Sequence, residues 1–517
     1  MNKPTHPKKV IIRFTARAYE RVRRLLLKDE NEQMCFVFAH VVETPTPNRL
    51  VFLCDYVLQL HDSCYLKRTP TSVVLDHRAK NIVYARFAAS TYDGLLNIHS
   101  HPFDKGRVAF SSKDDEDDLR EIAWQYEQLP RGKRAYGNPR KVHCLSMVFG
   151  QRSLDARGLT CRHLGFQEGL CPPFYRIEQV QILGEKLSVI TPTGATNSPT
   201  LSSSDRITYD RQILAFGAEG QKTLGSLHIS LIGTGGIGSI LGEGVCRMGV
   251  KTLTLIDHDL LSPHSLNRWQ GGRPSDIGKP KAQVLATHLR RMFPGIKVTS
   301  IAKPLTHPKA LKAIKGADFL LAGVDNHQAR WLLNRISAQF LIPYLDGATV
   351  IAKGKGEANN RMQLFYRLAV VVPGITACLS CSQIKYWNHQ EDIAPYLYDP
   401  ITRSRLQVSG YIQDHPEEQA PSVMPLNMLV AASVLLELLN LVTDYAPLAR
   451  NVAVDHLSPN HTTVRSDTKN FPEGPAEDCI SCFALLGKGN SEPLPVIDMP
   501  ALTESQIDNH FPLAANE

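Results

Sequence analysis

Apolar residues recur in two different rhythms along this 517-residue chain. Before about position 190, a helical spacing over 16–28 is followed by strand-length apolar runs at 34–42, 49–58 and 142–149, which predicts an α+β arrangement. After position 205 the rhythm becomes alternation. Short runs at 227–232, 252–256 and 319–322 flank helical spacings over 238–248 and 281–292, the signature of a parallel α/β sheet. Between the two lies TPTGATNSPTLSSSD, residues 191–205, dense in Ser, Thr, Pro and Gly with no apolar period; such a composition makes a linker. The predicted organisation is a first domain over 1–190, a linker over 191–205, a second domain over 206–487, and a polar, poorly ordered tail over 488–517. The longest apolar stretch, 428–442, is interrupted by Glu437 and Asn440; it reads as a buried helix too short to cross a bilayer.

Composition narrows the function classes. Apolar residues make up 43% and charged residues 21% of the chain, the balance of a soluble globular protein. The net charge of +8 forms no dense basic block. Arg21, Arg23 and Arg24 fit the exposed face of the first helix, so neither a nucleic-acid partner nor a membrane is expected. The opening MNKPTHPKKV has no apolar signal-peptide run. Eleven cysteines are an odd number, and four of them form two C-x-x-C pairs. That spacing favours metal over disulfides in a cytoplasmic chain, the expected location.

One constellation carries hydrolytic chemistry. His99 and His101 stand two apart in Asn-Ile-His-Ser-His-Pro, and side chains at i and i+2 of an extended segment point the same way. They can share one cation, with a downstream Asp114 as third ligand. Three protein ligands leave zinc a fourth position for water, and a nearby carboxylate must then take that water's proton. A Glu, then H-x-H-P, then S-x-x-D resembles the JAMM (JAB/MPN) metalloprotease family. The resemblance implies that His99, His101 and Asp114 are zinc ligands and that Ser111 helps to stabilise the oxyanion. It also implies that Glu32, followed by the small residues Cys35 and Ala39, is the general base. Glu30 is the alternative base, and Ser112 with Asp115 the alternative register. The family's substrates are bonds after the terminal glycines of ubiquitin-like proteins.

The second constellation follows the run at 227–232, where Gly233, Gly235, Gly236 and Gly238 form a turn into a helix. Backbone N–H groups and the helix dipole there favour a phosphate. Asp257 and Asp259 end the next strand, where a carboxylate can bind ribose. Asn267, Arg268, Lys281 and Arg211 add a polar and cationic clamp for a triphosphate, and Asp325 offers oxygen to Mg²⁺. A dehydrogenase needs no such clamp. The stretch from about 206 to 446 resembles the ThiF/MoeB/ubiquitin-activating family, which implies ATP and Mg²⁺ as cofactors. By that resemblance Asp257 contacts ribose, Arg268 and Lys281 contact the phosphates and the transition state, and Asp325 holds Mg²⁺. Arg211 would reach the γ-phosphate from a neighbouring subunit of a homodimer. Ser265 stands where relatives often carry Asn, so altered fine contacts are expected.

Cys378, Cys381, Cys479 and Cys482 are expected to close a structural zinc site, since four thiolates satisfy tetrahedral Zn²⁺. One catalytic and one structural zinc are thus expected. No cysteine occurs between Ser382 and Asp478, where many ubiquitin-activating relatives carry an acceptor thiol. The adenylate is therefore expected to pass to a thiol on a partner, a conjugating enzyme or a sulfurtransferase. Together the resemblances imply an α/β chain that trims a ubiquitin-like or sulfur-carrier protein and adenylates its terminal glycine, as in bacterial conjugation systems. Sulfur transfer for cofactor or cysteine synthesis is the rival, and a non-catalytic scaffold is a third reading.

Overall fold

The strand-length runs of the first part of the chain pair into one sheet in a computed structural model. The structure describes residues 9–45, 48–129, 141–159, 174–195, 200–325, 327–353, 362–381, 421–443, 445–446, 453–457, 464–466, 474–492 and 494. Two units emerge: Met1–Ser198 with Gly487–Glu492, and Pro199–Leu486 with Pro493–Glu517.

In the first unit β1 (Lys9–Thr15) leads into α1 (Ala16–Leu26), whose Thr15 side chain caps the helix by accepting from Ala18 N. A hairpin of β2 (Met34–Pro45) and β3 (Asn48–Leu58) follows. Next come a small ribbon, β4 (Tyr65–Thr69) and β5 (Ser72–Leu75), and α2 (His77–Ala88). β6 (Gly94–Ser100) precedes α3 (Ser112–Gln128) and β7 (His143–Phe149). β8 (Leu154–Leu159), β9 (Phe174–Arg176), β10 (Gln179–Leu183) and β11 (Leu187–Ile190) complete the unit. The nine-stranded order is β11-β10-β1-β3-β2-β6-β7-β8-β9. Alternation puts Cys35, Val37 and Ala39 of β2 in a core with α1, and Phe36 and Phe38 in a second core with α2 and α3. Every residue of β6 is buried.

The second unit opens with α4 (Ser203–Thr208), capped by Ser202 and Asp205, and α5 (Asp210–Ser226), kinked at Phe216–Gly217. Then β12 (His228–Ile232), α6 (Gly236–Arg247), β13 (Thr252–Ile256), α7 (Lys281–Met292) and β14 (Lys297–Ile301) alternate. α8 (Pro308–Ile314), β15 (Phe319–Ala322), α9 (His327–Phe340), β16 (Tyr344–Lys353) and β17 (Met362–Val371) follow. The last elements are α10 (Met424–Val442), β18 (Ala453–Leu457) and β19 (Val464–Ser466). The sheet order is β14-β13-β12-β15-β16-β17-β18-β19, parallel from β14 to β16 and antiparallel beyond. From β12 the chain winds outward through β13 and β14, then returns to β15 on the other side. The crevice at the ends of β12 and β15 is therefore the switch point, where open α/β sheets bind ligands.

Three expectations change. Helix α10 starts at Met424 with Pro425 in its first turn, where proline's missing N–H costs nothing. Only one face is buried: Val430 and Val434 pack on Gly347, and Leu435 on Gly244, while Met428, Leu429 and Leu436 are exposed. At 19 residues the helix is also long and apolar enough for a membrane span by those criteria alone. The end of the expected linker is helical, because Ser202 and Asp205 cap α4. The tail expected from 488 begins ordered: a turn at Gly489–Ser491 belongs to the first unit, with Ser491 Oγ 3.4 Å from His40 Nε2. Residues 495–517 lie outside the described residues.

At the switch point, backbones meet without room for side chains. A Cβ on Gly238 would sit 1.9 Å from the Gly233 carbonyl oxygen. Gly238→Ala gains about 1 kcal/mol of helix propensity, while overpacking of this kind costs about 1–3 kcal/mol or more. The overlap wins. Thermal denaturation should show the second unit melting at lower temperature in this variant, and a raised melting temperature would contradict the packing.

Candidate functional site

Two groups of polar side chains converge, one in each unit. In the first, β6 delivers His99, and His101 follows directly after the strand; its N–H donates to Phe149 O at 2.8 Å. Ser111 is the N-cap of α3, and Asp114 is the third residue of the helix. They bond reciprocally, Ser111 N and Oγ donating to Asp114 Oδ2 at 2.6 and 2.8 Å. The other face of Asp114 meets the histidines: His99 Nε2 lies 3.2 Å from Oδ1 and His101 Nε2 3.5 Å from Oδ2. Nitrogen and oxygen ligands at about 2.0–2.1 Å from a tetrahedral ion stand about 3.4 Å apart, so the three residues fit zinc. Their ligand atoms all lie within 4.8 Å of one another.

Glu32 completes the group, with Oε1 3.9 Å from His101 Nε2. Its backbone N–H donates to Thr69 O at 2.9 Å. The next residue, Gln33, exchanges two hydrogen bonds with Ser100, its N–H to Ser100 Oγ and Ser100 N to its carbonyl. Burial pushes the Glu32 carboxyl up to about 7, with the Asp114 charge adding and His99 opposing. Burial also acts to raise Asp114, but the hydrogen bond and charge of His99 and the Ser111 contacts hold it well below the usual carboxylate range. Burial and the neighbouring His99 lower His101. The open alternatives separate: Glu30 is exposed, and Asp115 turns away from the histidines to pair with Arg157.

In the second group Gly235 caps α6, with Ser239 N donating to its carbonyl at 2.8 Å. The helix therefore starts at Gly236, two residues before the expected Gly238. Gly233 adopts φ +77 and abuts Gly323 and Val324 at the end of β15, which brings the exposed Asp325 to the same crevice. The Arg268 stem and the Asn427 amide pack where Gly236 would carry a Cβ. Trp269 Nε1 donates to Thr234 O at 2.5 Å.

Asp257 is buried and committed to its own turn: Oδ2 accepts from Thr234 N and Oγ1 at 2.7 and 2.9 Å, and Oδ1 from Asp259 N. Asp259 is the more accessible carboxylate, 48% exposed, and Lys281 Nζ donates to it at 2.7 Å. Asn267 is exposed and accepts from Arg268 Nη1 at 3.2 Å. Arg211, on α5, is 92% exposed and has Asp210 at 3.9 Å. Asn326 and the crossover stretch 382–420 lie outside the described residues.

The cysteine pairs meet as expected. Sγ separations are 3.6 Å for Cys378–Cys381 and Cys378–Cys479, and 3.4 Å for Cys381–Cys482. Sulfurs at about 2.3 Å from a tetrahedral zinc stand about 3.8 Å apart, so this is a four-cysteine zinc-binding group. Asn334 ties it to α9 by accepting from Leu379 N at 2.8 Å. Cys246 is unsuited to thioester chemistry: it is buried, bonded to Gly242 O, and burial pushes its thiol up to about 12.

Sequence reading missed the residues that support these groups. Asp346, fully buried, accepts from Arg330, Tyr344 and Arg367, and Arg330 also donates to Val324 O. No local spacing announces such a cluster.

A profile of the ThiF family matches residues 209–477. Among curated proteins, the sulfur carrier protein ThiS adenylyltransferase of Bacillus subtilis is 30% identical over 177 residues, 34% of this chain and 49% of that protein. The molybdopterin-synthase adenylyltransferase of Salmonella typhimurium is 29% identical over 157 residues, 30% of this chain and 63% of its own length. The NEDD8-activating enzyme E1 catalytic subunit of Saccharomyces cerevisiae is 30% identical over 177 residues, 32% of this chain and 54% of that subunit. The chain thus spans roughly half the length of the curated relatives it matches.

The raised Glu32 has a consequence for stability. A carboxyl whose folded pKa lies near 7 instead of 4.5 contributes its stabilisation fully below pH 4.5 and loses it as pH rises through 7. At about 1.4 kcal/mol per pKa unit, the loss is on the order of 3 kcal/mol. In chelator-treated protein, Glu32→Gln should therefore be more stable than the parent at pH 8 and nearly equal to it at pH 5. Urea unfolding at the two pH values reads the difference, and an equal gap at both would contradict the burial argument.

Proposed function

The chain belongs to the ThiF family, and from that premise we propose that its second unit adenylates the terminal glycine of a ubiquitin-like or sulfur-carrier protein with ATP. The observation that supports this reading is the meeting of Gly233, Gly238 and Gly323 at one crevice, with Arg268 against Gly236 and Asp257 joining Thr234 to Asp259, the partner of Lys281. A glycine carboxylate oxygen attacks the α-phosphorus in line, the bond from that phosphorus to the bridging oxygen breaks, and pyrophosphate leaves. The N–H groups of the first α6 turn face the phosphates, with the helix dipole favouring their charge. Lys281 exchanges Asp259 for phosphate oxygen when nucleotide enters. Asp259 is free in its exposure to meet ribose hydroxyls, while Asp257 shapes the turn that presents it. Asp325 would hold a Mg²⁺ ion, which would supply positive charge against the departing group. With Cys246 inert, the adenylate passes to a partner's thiol. Sulfur transfer is the alternative fate, favoured by relatives named for sulfur-carrier and molybdopterin-synthase adenylation.

The first unit, in the same reading, is a JAMM-type zinc peptidase that trims or deconjugates such a protein. The donor set and spacing of His99, His101 and Asp114 support it. Zinc lowers the pKa of a bound water towards about 7. Glu32, pushed up to about 7, is matched to take that water's proton and return it to the leaving amine. Ser111 stands at the rim, where its hydroxyl can turn from Asp114 to the developing oxyanion. A homodimer fits the exposed Arg211, flanked by Ile207 at 80% and Leu214 at 72% exposure.

The adenylation test is ATP–pyrophosphate exchange, expected only with a glycine-ended partner present. Loss of one preorganised charge contact typically costs about 10²–10³ in rate, so Lys281→Ala and Asp325→Ala should each lose that much. Exchange at the parent rate in either variant would remove these roles. Mixing Arg211→Ala with Lys281→Ala should restore part of the exchange; no rescue, with a monomeric mass, would remove the dimer. The peptidase is tested separately. Glu32→Ala and His101→Ala should abolish cleavage of a C-terminally extended partner and spare exchange, because the residues lie in different units. Cleavage that persists in both variants would refute the zinc assignment.

A further inference from the structure

One arginine that no sequence motif marks grips the first site from behind. Arg157, on β8, is 3% exposed. Its guanidinium carbon lies over two rings, 3.7 Å from the centroid of Phe110 and 4.1 Å from that of Phe174. Its edge pairs with two carboxylates of α3: Nη1 donates to Asp115 Oδ1, and Nε and Nη2 lie 2.9 and 2.7 Å from Asp118 Oδ2. These partners bracket the Ser111–Asp114 segment. Phe110 precedes Ser111, Asp115 follows Asp114, and Asp118 stands one turn further along. Phe110 in turn lies against His99, with centroids 6.2 Å apart.

The energetics favour a purpose for this arrangement. Burying an arginine between carboxylates is weak evidence of stabilisation, since desolvation offsets most of the attraction. What the arrangement does supply is direction. A planar guanidinium that contacts two rings and pairs with two carboxylates restricts where the helix can start. The first turn of α3 would otherwise be free to fray, as helix ends do. Asp114 must place its two oxygens toward two histidines at once.

We propose that Arg157 is the positioning residue of this metal site, fixing Asp114 by holding Phe110, Asp115 and Asp118 around it. The proposal rests on the reading of His99, His101 and Asp114 as zinc ligands. Loss of partners that orient metal ligands typically lowers metal affinity by about 10–100-fold. The experiment is competition of the full chain against a chromophoric zinc chelator, with melting temperature recorded in parallel. The parent should hold two zinc ions, one released readily and one retained by the four cysteines.

Arg157→Met should bind the labile zinc about 10–100-fold more weakly and keep the other. Arg157→Lys should also be weakened, because an ammonium cannot stack flat and bridge both carboxylates. Asp115 is 52% exposed, so Asp115→Ala removes one anchor without stranding a fully buried charge; it should lower affinity in the same direction by a smaller factor. That variant carries the test if Arg157→Met does not fold. A lowered melting temperature with unchanged zinc affinity, in either folded variant, would make the cluster purely structural and overturn the proposal. A parent chain that holds zinc only on its cysteines would instead overturn the metal-site reading beneath it.

Discussion

In each unit the reactive groups hang on a strand buried along its whole length, and the rest of the site is built around its end. β6 carries His99, and β12 runs into the glycine turn. A one-residue slip in either strand would turn its apolar side chains to the opposite face, so burial fixes the register and register fixes the site. At β12 the constraint tightens further. Gly233, Gly238 and Gly323 pack backbone on backbone, which sets the distance between the α6 N-terminus and the Asp325 loop. The glycine turn and the end of β15 are therefore parts of one contact.

Both sites hold their charges in place before any substrate arrives. Lys281 rests on Asp259, and Asp114 rests on two histidines and a serine. Such pairing holds the groups in orientation, at a desolvation cost met by neighbouring partners. Glu32 is the exception. It is buried with His101 3.9 Å away, and burial pushes its carboxyl up to about 7. Above neutral pH the same burial costs stability.

Local chemistry was legible in the sequence where a short spacing encodes it. The i and i+2 histidines lie beside Asp114 and the two C-x-x-C pairs converge, because a short spacing marks residues that face one way, even where the pairs themselves stand far apart in the chain. Strands 252–256 and 319–322 and the helix 281–292 had the right bounds, since their neighbours agree with their own propensities. The helix after the glycine turn began early because a glycine in its first turn costs little once Gly235 caps it. What stayed hidden depends on contacts across long sequence distances. Arg157 lies 42 residues from Asp115, and Asp346 gathers side chains from three elements. The exposed face of α10 was hidden as well, because apolar character alone does not say which side of a helix meets the core.

The central proposal is that the second unit adenylates a terminal glycine carboxylate that the first unit exposes. Intact-mass spectrometry of a glycine-ended small protein bearing a short C-terminal extension tests it most directly. With the full chain, zinc and Mg²⁺ present, the extension should be lost without ATP. On adding ATP, the mass of an adenylyl group should appear on the trimmed species alone. Adenylation of the untrimmed protein, or trimming that never yields an adenylated product, would contradict the account.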